Sequence, residues 1–490
     1  MTSYDILLPG ITLLPVVGVI VLLVWQKATK KQAVIVGLVS EGFALIIPVI
    51  LLAALKRDGA VTFSMPWIPN MGISFSLTLN WLSLIFLLTE VLVTLAAMIY
   101  SIGEKTGERY SNYYYALLLL FSLGMSGTTL ANDVFLFYVF WELMLVASVL
   151  LILIWGHGEI RFKVALKYFI ITHFGSLLVL VCLITLYVNF GTANLTELIM
   201  QASTLPGNLQ VLLTAFFIVG FSVKMAIFPL HIWLPDAHTV APMPVTIILA
   251  AAMLSMGTYG ILRFPFSLFS LESIQPFAVW MMIGGLVSEV YGALMALAEK
   301  DIKRIIAYSS VSQMGYILFG LGTLTARGMQ GGVMHVVYHA IVKALLFMVV
   351  GIIINVTGKR DIQKIGGLGM RYPYLCVCAA IGILGISGMP PLGIFNSEWM
   401  IFAGGFDSEI SIALTVMTLI GSLLTVVYGL RFFGSIFFGQ RQPGELPAKA
   451  PRALVIPTVA VTAFLIIEGL IPAPLLSWTI RGLADLIGRF

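Results

Sequence analysis

Residues 224–238 read Lys224-Met-Ala-Ile-Phe-Pro-Leu-His-Ile-Trp-Leu-Pro-Asp-Ala-His238. They close an apolar segment, 209–230, that is long enough for a membrane-crossing helix, which needs about 20 such residues. Pro229 and Pro235 each remove a backbone donor and clash with the preceding turn, so the helix should break here. Freed carbonyls at membrane depth are tolerated only beside protein or water. Lys224, just ahead of the break, is itself costly there, by at least about 2.5 kcal/mol on insertion scales. A second break stands in Gly388-Met-Pro-Pro-Leu-Gly393, followed by Glu398. Broken helices at corresponding places in two halves point to a transport site.

The rest of the chain agrees. Of its 490 residues 60% are hydrophobic and 10% charged, with a mean hydropathy of +1.03. A soluble domain carries about 25% charged residues, so soluble enzymes, disordered chains and secreted disulfide scaffolds are excluded. Fourteen segments read as spans: 6–25, 33–55, 81–102, 113–131, 133–155, 164–190, 209–230, 243–264, 275–298, 305–324, 331–356, 374–403, 409–438 and 453–477. The expected fold is an all-α polytopic membrane protein. Lys56–Asn80, with Pro66, Pro69 and Gly72, reads as a small hairpin on one membrane face. Met1–Asp5 lacks the basic residues of a cleavable signal. Cys182, Cys376 and Cys378 lie in apolar stretches, and an isolated Cys-x-Cys lacks the partners of a zinc or iron–sulfur site.

The net charge of +5 reflects topology rather than nucleic-acid binding. Eighteen of the 27 basic residues fall in loops after odd-numbered segments, among them Lys27, Lys105, Lys163, Lys303, Lys359 and Arg441. Six, including Lys56, Arg263 and Arg489, fall on the other face. The positive-inside rule then puts both termini on the non-cytoplasmic side. Segments seven and twelve are five apart, which suggests repeats of segments 4–8 and 9–13. Five is odd, so the copies enter from opposite sides, as an inverted repeat does; two unrelated kinked helices are the alternative. The blocks are 1–112, 113–264, 265–440 and 441–490.

Ionisable groups at span depth are numerous: Glu90, Glu142, His173, Lys224, Glu289, His335, His339, Lys343, Glu398, Arg431 and Glu468. One alone could snorkel or form a static pair; the set calls for a hydrated polar path. His335, His339 and Lys343 recur at i, i+4 and i+8, so one helical face carries all three. That spacing is open to a proton relay, structural hydrogen bonding or metal binding. The relay fits best, because His titrates near neutrality and desolvation lowers a lysine toward it. Glu142 is a candidate counter-ion for Lys224. Gly366-Gly-Leu-Gly369 follows no strand and is a loop, not a dinucleotide turn.

These stretches resemble the antiporter-like subunits shared by respiratory complex I, group 4 membrane-bound hydrogenases and multisubunit Na+/H+ antiporters. The resemblance rests on Phe140-Trp141-Glu142-Leu143, Lys224 to His238, Asp301-Ile-Lys-Arg-Ile-Ile-Ala-Tyr-Ser-Ser-Val-Ser-Gln-Met-Gly315, His335 to Leu345, and Pro390 to Glu398. It implies fourteen helices with two inverted five-helix repeats. It also implies that Glu142 modulates a proton-carrying Lys224, that His335, His339 and Lys343 form the second relay, and that Glu398 is the terminal carboxylate. His231 and His238 either serve the central axis or hold the break. Many members carry a lysine in the eighth helix; aligned through Thr258-Tyr259-Gly260, that position is Ser255. Glu398 resembles the M-type complex I subunit, whereas the histidine-lysine series resembles L-type, N-type and antiporter subunits.

The expected function is a proton-translocating, non-redox subunit of a complex I-related respiratory or hydrogenase complex, with a D-type Na+/H+ antiporter subunit as the alternative. No cofactor is expected in this chain; iron–sulfur clusters would belong to partners. Those partners are other antiporter-like and small membrane subunits and a hydrogenase, NADH- or F420-type redox module, in a prokaryotic cytoplasmic membrane. A structural spacer and a self-sufficient carrier are the rival classes.

Overall fold

The computed structural model describes residues 4–440 and 449–488. Arg441 and Arg489 of the topology count lie outside the described residues. The helices are α1 (Gly10–Val24), α2 (Lys30–Asp58), α3 (Trp81–Ser101), α4 (Ser111–Leu130), α5 (Val134–Trp155), α6 (Arg161–Phe190), α7 (Leu195–Gln201), α8 (Gly207–Met225), α9 (Leu234–Val240), α10 (Met243–Ile248), α11 (Ser255–Arg263) and α12 (Pro265–Leu268). They continue as α13 (Leu271–Ala298), α14 (Ile302–Gly322), α15 (Ala326–Thr357), α16 (Leu368–Arg371), α17 (Pro373–Ile386), α18 (Gly393–Asp407), α19 (Ile412–Phe433), α20 (Arg452–Leu470) and α21 (Ala473–Ile487). A π-turn at Leu249–Met253 joins α10 to α11. Among the described residues twelve helical segments are long and apolar enough to cross a membrane, Met243–Leu268 counting as one. Two shorter apolar helices, α1 and α17, fall on the first and twelfth expected segments.

Both expected breaks are present. The seventh segment stops at Met225, where Ala226 turns left-handed (φ 58°), and resumes at Leu234. The twelfth stops at Ile386, with Gly388 at φ 64°, and resumes at Gly393. The Phe228–Pro229 and Pro390–Pro391 bonds are cis. The expected last segment, 453–477, is corrected: α20 ends at Leu470 and α21 begins at Ala473. Pro472 and Pro474 lack the N–H groups that would continue the ladder. The amphipathic α21 instead lies on α3, with Trp478 6.4 Å from Trp81 and Arg481 4.9 Å above the Trp81 ring.

The loop hairpin pairs β1 (Ala60–Ile68) with β2 (Ile73–Asn80), antiparallel from Ala60↔Asn80 to Ile68↔Ile73. It starts later than expected, because α2 runs on to Asp58 and is capped by left-handed Gly59. An Asn132 N–H to Ser76 carbonyl bond of 2.8 Å ties it to the α4–α5 loop.

The interior is built from Met243–Leu268, α14 and α15, which are buried nearly all round, as helices apolar on every face must be. α2, α6, α13, α19 and α20 keep one face exposed. Small residues bring the helices together: α13 meets α14 where Gly285 faces Gly315, and a Cβ at Gly285 would fall 2.6 Å from the Gly315 carbonyl oxygen.

One local motif occurs twice. Asp133 caps α5 and Asp301 caps α14, each accepting from the two N–H groups two and three residues on. Asp133 bridges to Asn194 after α6, and Asp301 bridges to Asp361 after α15. Both partners cap short helices in turn.

Candidate functional site

The first group of buried polar side chains comes from α5, α6 and α8. Trp141 is anchored by an indole N–H to Ser176 hydroxyl bond of 2.9 Å, and the Lys224 ammonium lies 5.1 Å from the Trp141 ring. Lys224 is 2% exposed, and its Nζ has no hydrogen-bond partner among the described residues. The expected Glu142–Lys224 ion pair is not closed. The two are near enough to interact electrostatically, but Glu142 Oε2 is bonded to His173 Nδ1 at 3.2 Å. Their spacing therefore leaves Lys224 a choice between an aromatic face and a carboxylate, each attractive to the cation.

The break after α8 is chemically satisfied. The Trp233 indole donates to the Val223 carbonyl at 3.1 Å, and the Phe228 N–H donates to Ser288 Oγ of α13 at 2.9 Å. His231 is packed against Phe228 and Tyr291, at ring distances of 5.6 and 4.9 Å. Asp236 holds α9 in place by bonding Lys167 at 2.9 Å and Arg304 at 2.8 Å. His238 is fully buried on α9, and neither ring nitrogen has a hydrogen-bond partner among the described residues. Its ring centre is 5.4 Å from that of Phe347, and it interacts with Lys303, Lys343 and His339.

The second group lies on α15. Lys343 donates to the Ile306 carbonyl at 3.0 Å and to the Ser309 hydroxyl. His339 Nε2 has no hydrogen-bond partner among the described residues, and the ring interacts with Lys343, His335 and His238. His335 Nδ1 is 3.0 Å from Ser397 Oγ, and its Nε2 is 3.0 Å from Gln313 Oε1. Ser397 spends its own proton on the Ile394 carbonyl at 2.9 Å, so both ring nitrogens face oxygens able to accept. Such a site accommodates imidazolium without rearrangement. Glu398 is buried against Gly388 of the second break, whose single hydrogen leaves room for the carboxylate.

The structure thus brings His238, Lys343, His339 and His335 into one file, with Lys224, Glu142 and His173 beside the first break and Glu398 beside the second. Ser255 makes no side-chain hydrogen bond to that file among the described residues. It follows the π-turn, is buried, and donates its hydroxyl to the Ala252 carbonyl of its own helix. Junctions of this kind recur at functional positions. Arg431 is a cap, donating to the carbonyls of Ala296, Leu297 and Glu299 at 3.3, 2.7 and 2.9 Å.

Sequence reasoning passed over Lys303 and Glu41. Lys303 was counted as a loop charge, but it is 1% exposed and donates to the Ala241 carbonyl at 2.6 Å. The Asp301 cap was the available signal, since it places Lys303 inside the first helical turn. Glu41, fully buried on α2, interacts with Glu90 of α3.

Residues 131–425 match the family model described as NADH:quinone oxidoreductase/Mrp antiporter, TM. The chain belongs to this family. Among its relatives, NADH-quinone oxidoreductase subunit M of Escherichia coli (strain K12) is 33% identical over 96% of this chain and 95% of that protein. Its counterpart in Pseudomonas aeruginosa is 30% identical over 99% and 100%. A chain of the membrane-bound sulfane sulfur reductase, an archaeal respiratory membrane complex, superposes with a TM-score of 0.84 at 29% identity, covering 94% of this chain and 76% of that one. The fold also matches a chain of the Mrp complex from Dietzia sp. DQ12-45-1b, with a TM-score of 0.89, 23% identity and coverage of 99% and 98%. This antiporter-like chain is therefore a multi-pass membrane subunit of the kind found in multisubunit complexes.

Proposed function

We propose that this antiporter-like subunit carries protons through the membrane without redox chemistry of its own, inside a complex I-related respiratory or hydrogenase assembly. The observation that carries this reading is the buried file His238–Lys343–His339–His335, set between two helix breaks. Its groups are nitrogen bases. They exchange protons, whereas a lysine ammonium offers no acceptor to Na+. The Lys224 ammonium, between the Trp141 face and Glu142, is the switch of the first half. When the carboxylate draws the ammonium toward it the charge is held; when they separate, desolvation releases the proton toward His238. Each charge moved costs about 2.3 kcal/mol per 100 mV, so the driving energy must enter from partners.

Those partners are other antiporter-like and small membrane subunits and an iron–sulfur-bearing redox module of hydrogenase, NADH- or F420-dehydrogenase type. The relatives named NADH-quinone oxidoreductase subunit M support that coupling. The recurring Asp133–Asn194 and Asp301–Asp361 bridges, five segments apart, support two inverted repeats within fourteen spans. The loop charge bias supports a cytoplasmic membrane with both termini on its outer side.

Mild-detergent purification of the tagged chain, with mass spectrometry of what accompanies it, tests the assembly. Redox subunits are the expected companions. Antiporter relatives alone would favour the D-type Na+/H+ reading, and a chain arriving by itself would overturn both. Proton uptake by the reconstituted complex, lost in Lys224→Ala and Lys343→Ala, tests the chemistry.

A further inference from the structure

Glu289 of α13 is fully buried, and neither of its carboxylate oxygens has a hydrogen-bond partner among the described residues. Four side chains from three other helices are linked with it: Tyr316 of α14, Glu398 of α18, and Thr425 and Tyr428 of α19. Glu289 interacts with Tyr316, Glu398 and Tyr428, and Tyr316 in turn with Thr425. The hydroxyls of Tyr316, Thr425 and Tyr428 also lack a partner at hydrogen-bond geometry among the described residues, in side chains exposed by 0%, 1% and 1%. Glu289 reaches Tyr316, and Thr425 reaches both Tyr316 and Tyr428, but among the described residues none of these contacts attains full hydrogen-bond geometry, so the direct network is incomplete. Buried polar atoms in native proteins are almost always satisfied, and a buried water with two to four polar partners is the usual means.

The backbone makes room for both carboxyls. A Cβ at Gly421 would fall 2.5 Å from Glu289 Oε1, and one at Gly388 would overlap Glu398 Oε2. Two contacts join this site to the file on α15. The Tyr316 ring stacks on His335 at 5.6 Å, and Tyr428 interacts with Ser309, the hydroxyl that accepts from Lys343.

We propose that Glu289 and Glu398, with Tyr316, Thr425 and Tyr428, form a hydrated two-carboxyl site that stores the translocated proton at the end of the second half. Two buried carboxyls that repel one another do not readily ionise together, and in the resting pair one carries the proton. Loading passes a proton from protonated His335 through the water of the site: its N–H bond breaks, an O–H bond forms on the free carboxylate, and the pair becomes neutral. Unloading breaks that bond and passes the proton to water. Glu289 is thus a second proton-holding group beside Glu398. The inference rests on the proton-translocation reading.

The test uses the intact complex, with infrared hydrogen/deuterium difference spectra in the carboxyl C=O region and proton uptake in vesicles. Glu289→Gln is expected to remove a protonated-carboxyl band and to shift the one that remains. Glu398→Gln should shift the Glu289 band reciprocally, and each should slow uptake several-fold. Tyr316→Phe keeps the ring on His335 and removes only the hydroxyl, so it should move the band in a folded complex even where a carboxyl variant fails to assemble. A Glu398 band unmoved in Glu289→Gln, with uptake intact while Lys343→Ala is dead, overturns the site and leaves the transport reading standing. Full uptake in Lys343→Ala and Lys224→Ala overturns both. A band that responds to Na+ rather than to deuterium makes this a cation site and overturns the proton store.

Discussion

Lys224 owes its properties to what surrounds it rather than to its place in the chain. Its ammonium has an aromatic face 5.1 Å away and no hydrogen-bond acceptor among the described residues, an arrangement that favours release over retention. Loss of a positioned proton-transfer group typically costs about 10²–10⁴-fold in rate. Lys224→Ala should reduce pumping on that scale with assembly unchanged, measured as uptake per turnover. His173→Ala should also slow pumping, but by retention, freeing Glu142 Oε2 from its 3.2 Å bond to hold the ammonium. Slower uptake together with tighter Lys224–Glu142 contact in a structure of that variant would be the signature.

Glu104, in the loop after α3, shows a charge governed by burial. Its carboxyl is pushed above its ordinary value by desolvation, against the pull of Lys303 and Lys30. Such a group binds its proton more tightly folded than unfolded. Its stabilisation is present below the ordinary carboxylate range, near pH 4.3, and is lost as pH rises through the folded value. Glu104→Gln should therefore flatten the acid side of a thermal-stability profile, and an unchanged slope would contradict this.

At the scale of elements, Arg431 separates a structural charge from a transporting one. Its three bonds close the carbonyl end of α13, and bonds to charged groups contribute about 1.5–3 kcal/mol each. Arg431→Ala should lower the detergent melting temperature by several degrees while uptake per assembled complex stays normal; Arg431→Lys should recover part of the loss. The two helix breaks were legible because proline leaves only one outcome in an apolar run. The end of α20 was misjudged because residues 471–477 are apolar enough to continue a span. Pro472 and Pro474 turn them into an amphipathic helix that packs on α3 through Trp478.

For the whole molecule, loop charges and the paired Asp-capped bridges make one prediction about direction. Single cysteines placed at positions 106, 158 and 359 should react with an impermeant thiol reagent only from the cytoplasmic side, and cysteines at 59 and 72 only from the outside. A mixed pattern would undo the orientation and with it the inverted repeat. Composition fixed the membrane class, because 10% charge cannot cover a soluble surface.

Sequence alone also determined the two helix breaks and the face of α15 that carries His335, His339 and Lys343, since helical period and proline chemistry are local. It could not determine what that face meets. Glu142 with His173, His238 between Lys303 and Lys343, and Glu289 opposite Glu398 are meetings across helices far apart in the chain. Period places a side chain on a face, but only packing supplies the partner across from it. In a low-dielectric interior that partner decides whether a buried charge is held or handed on.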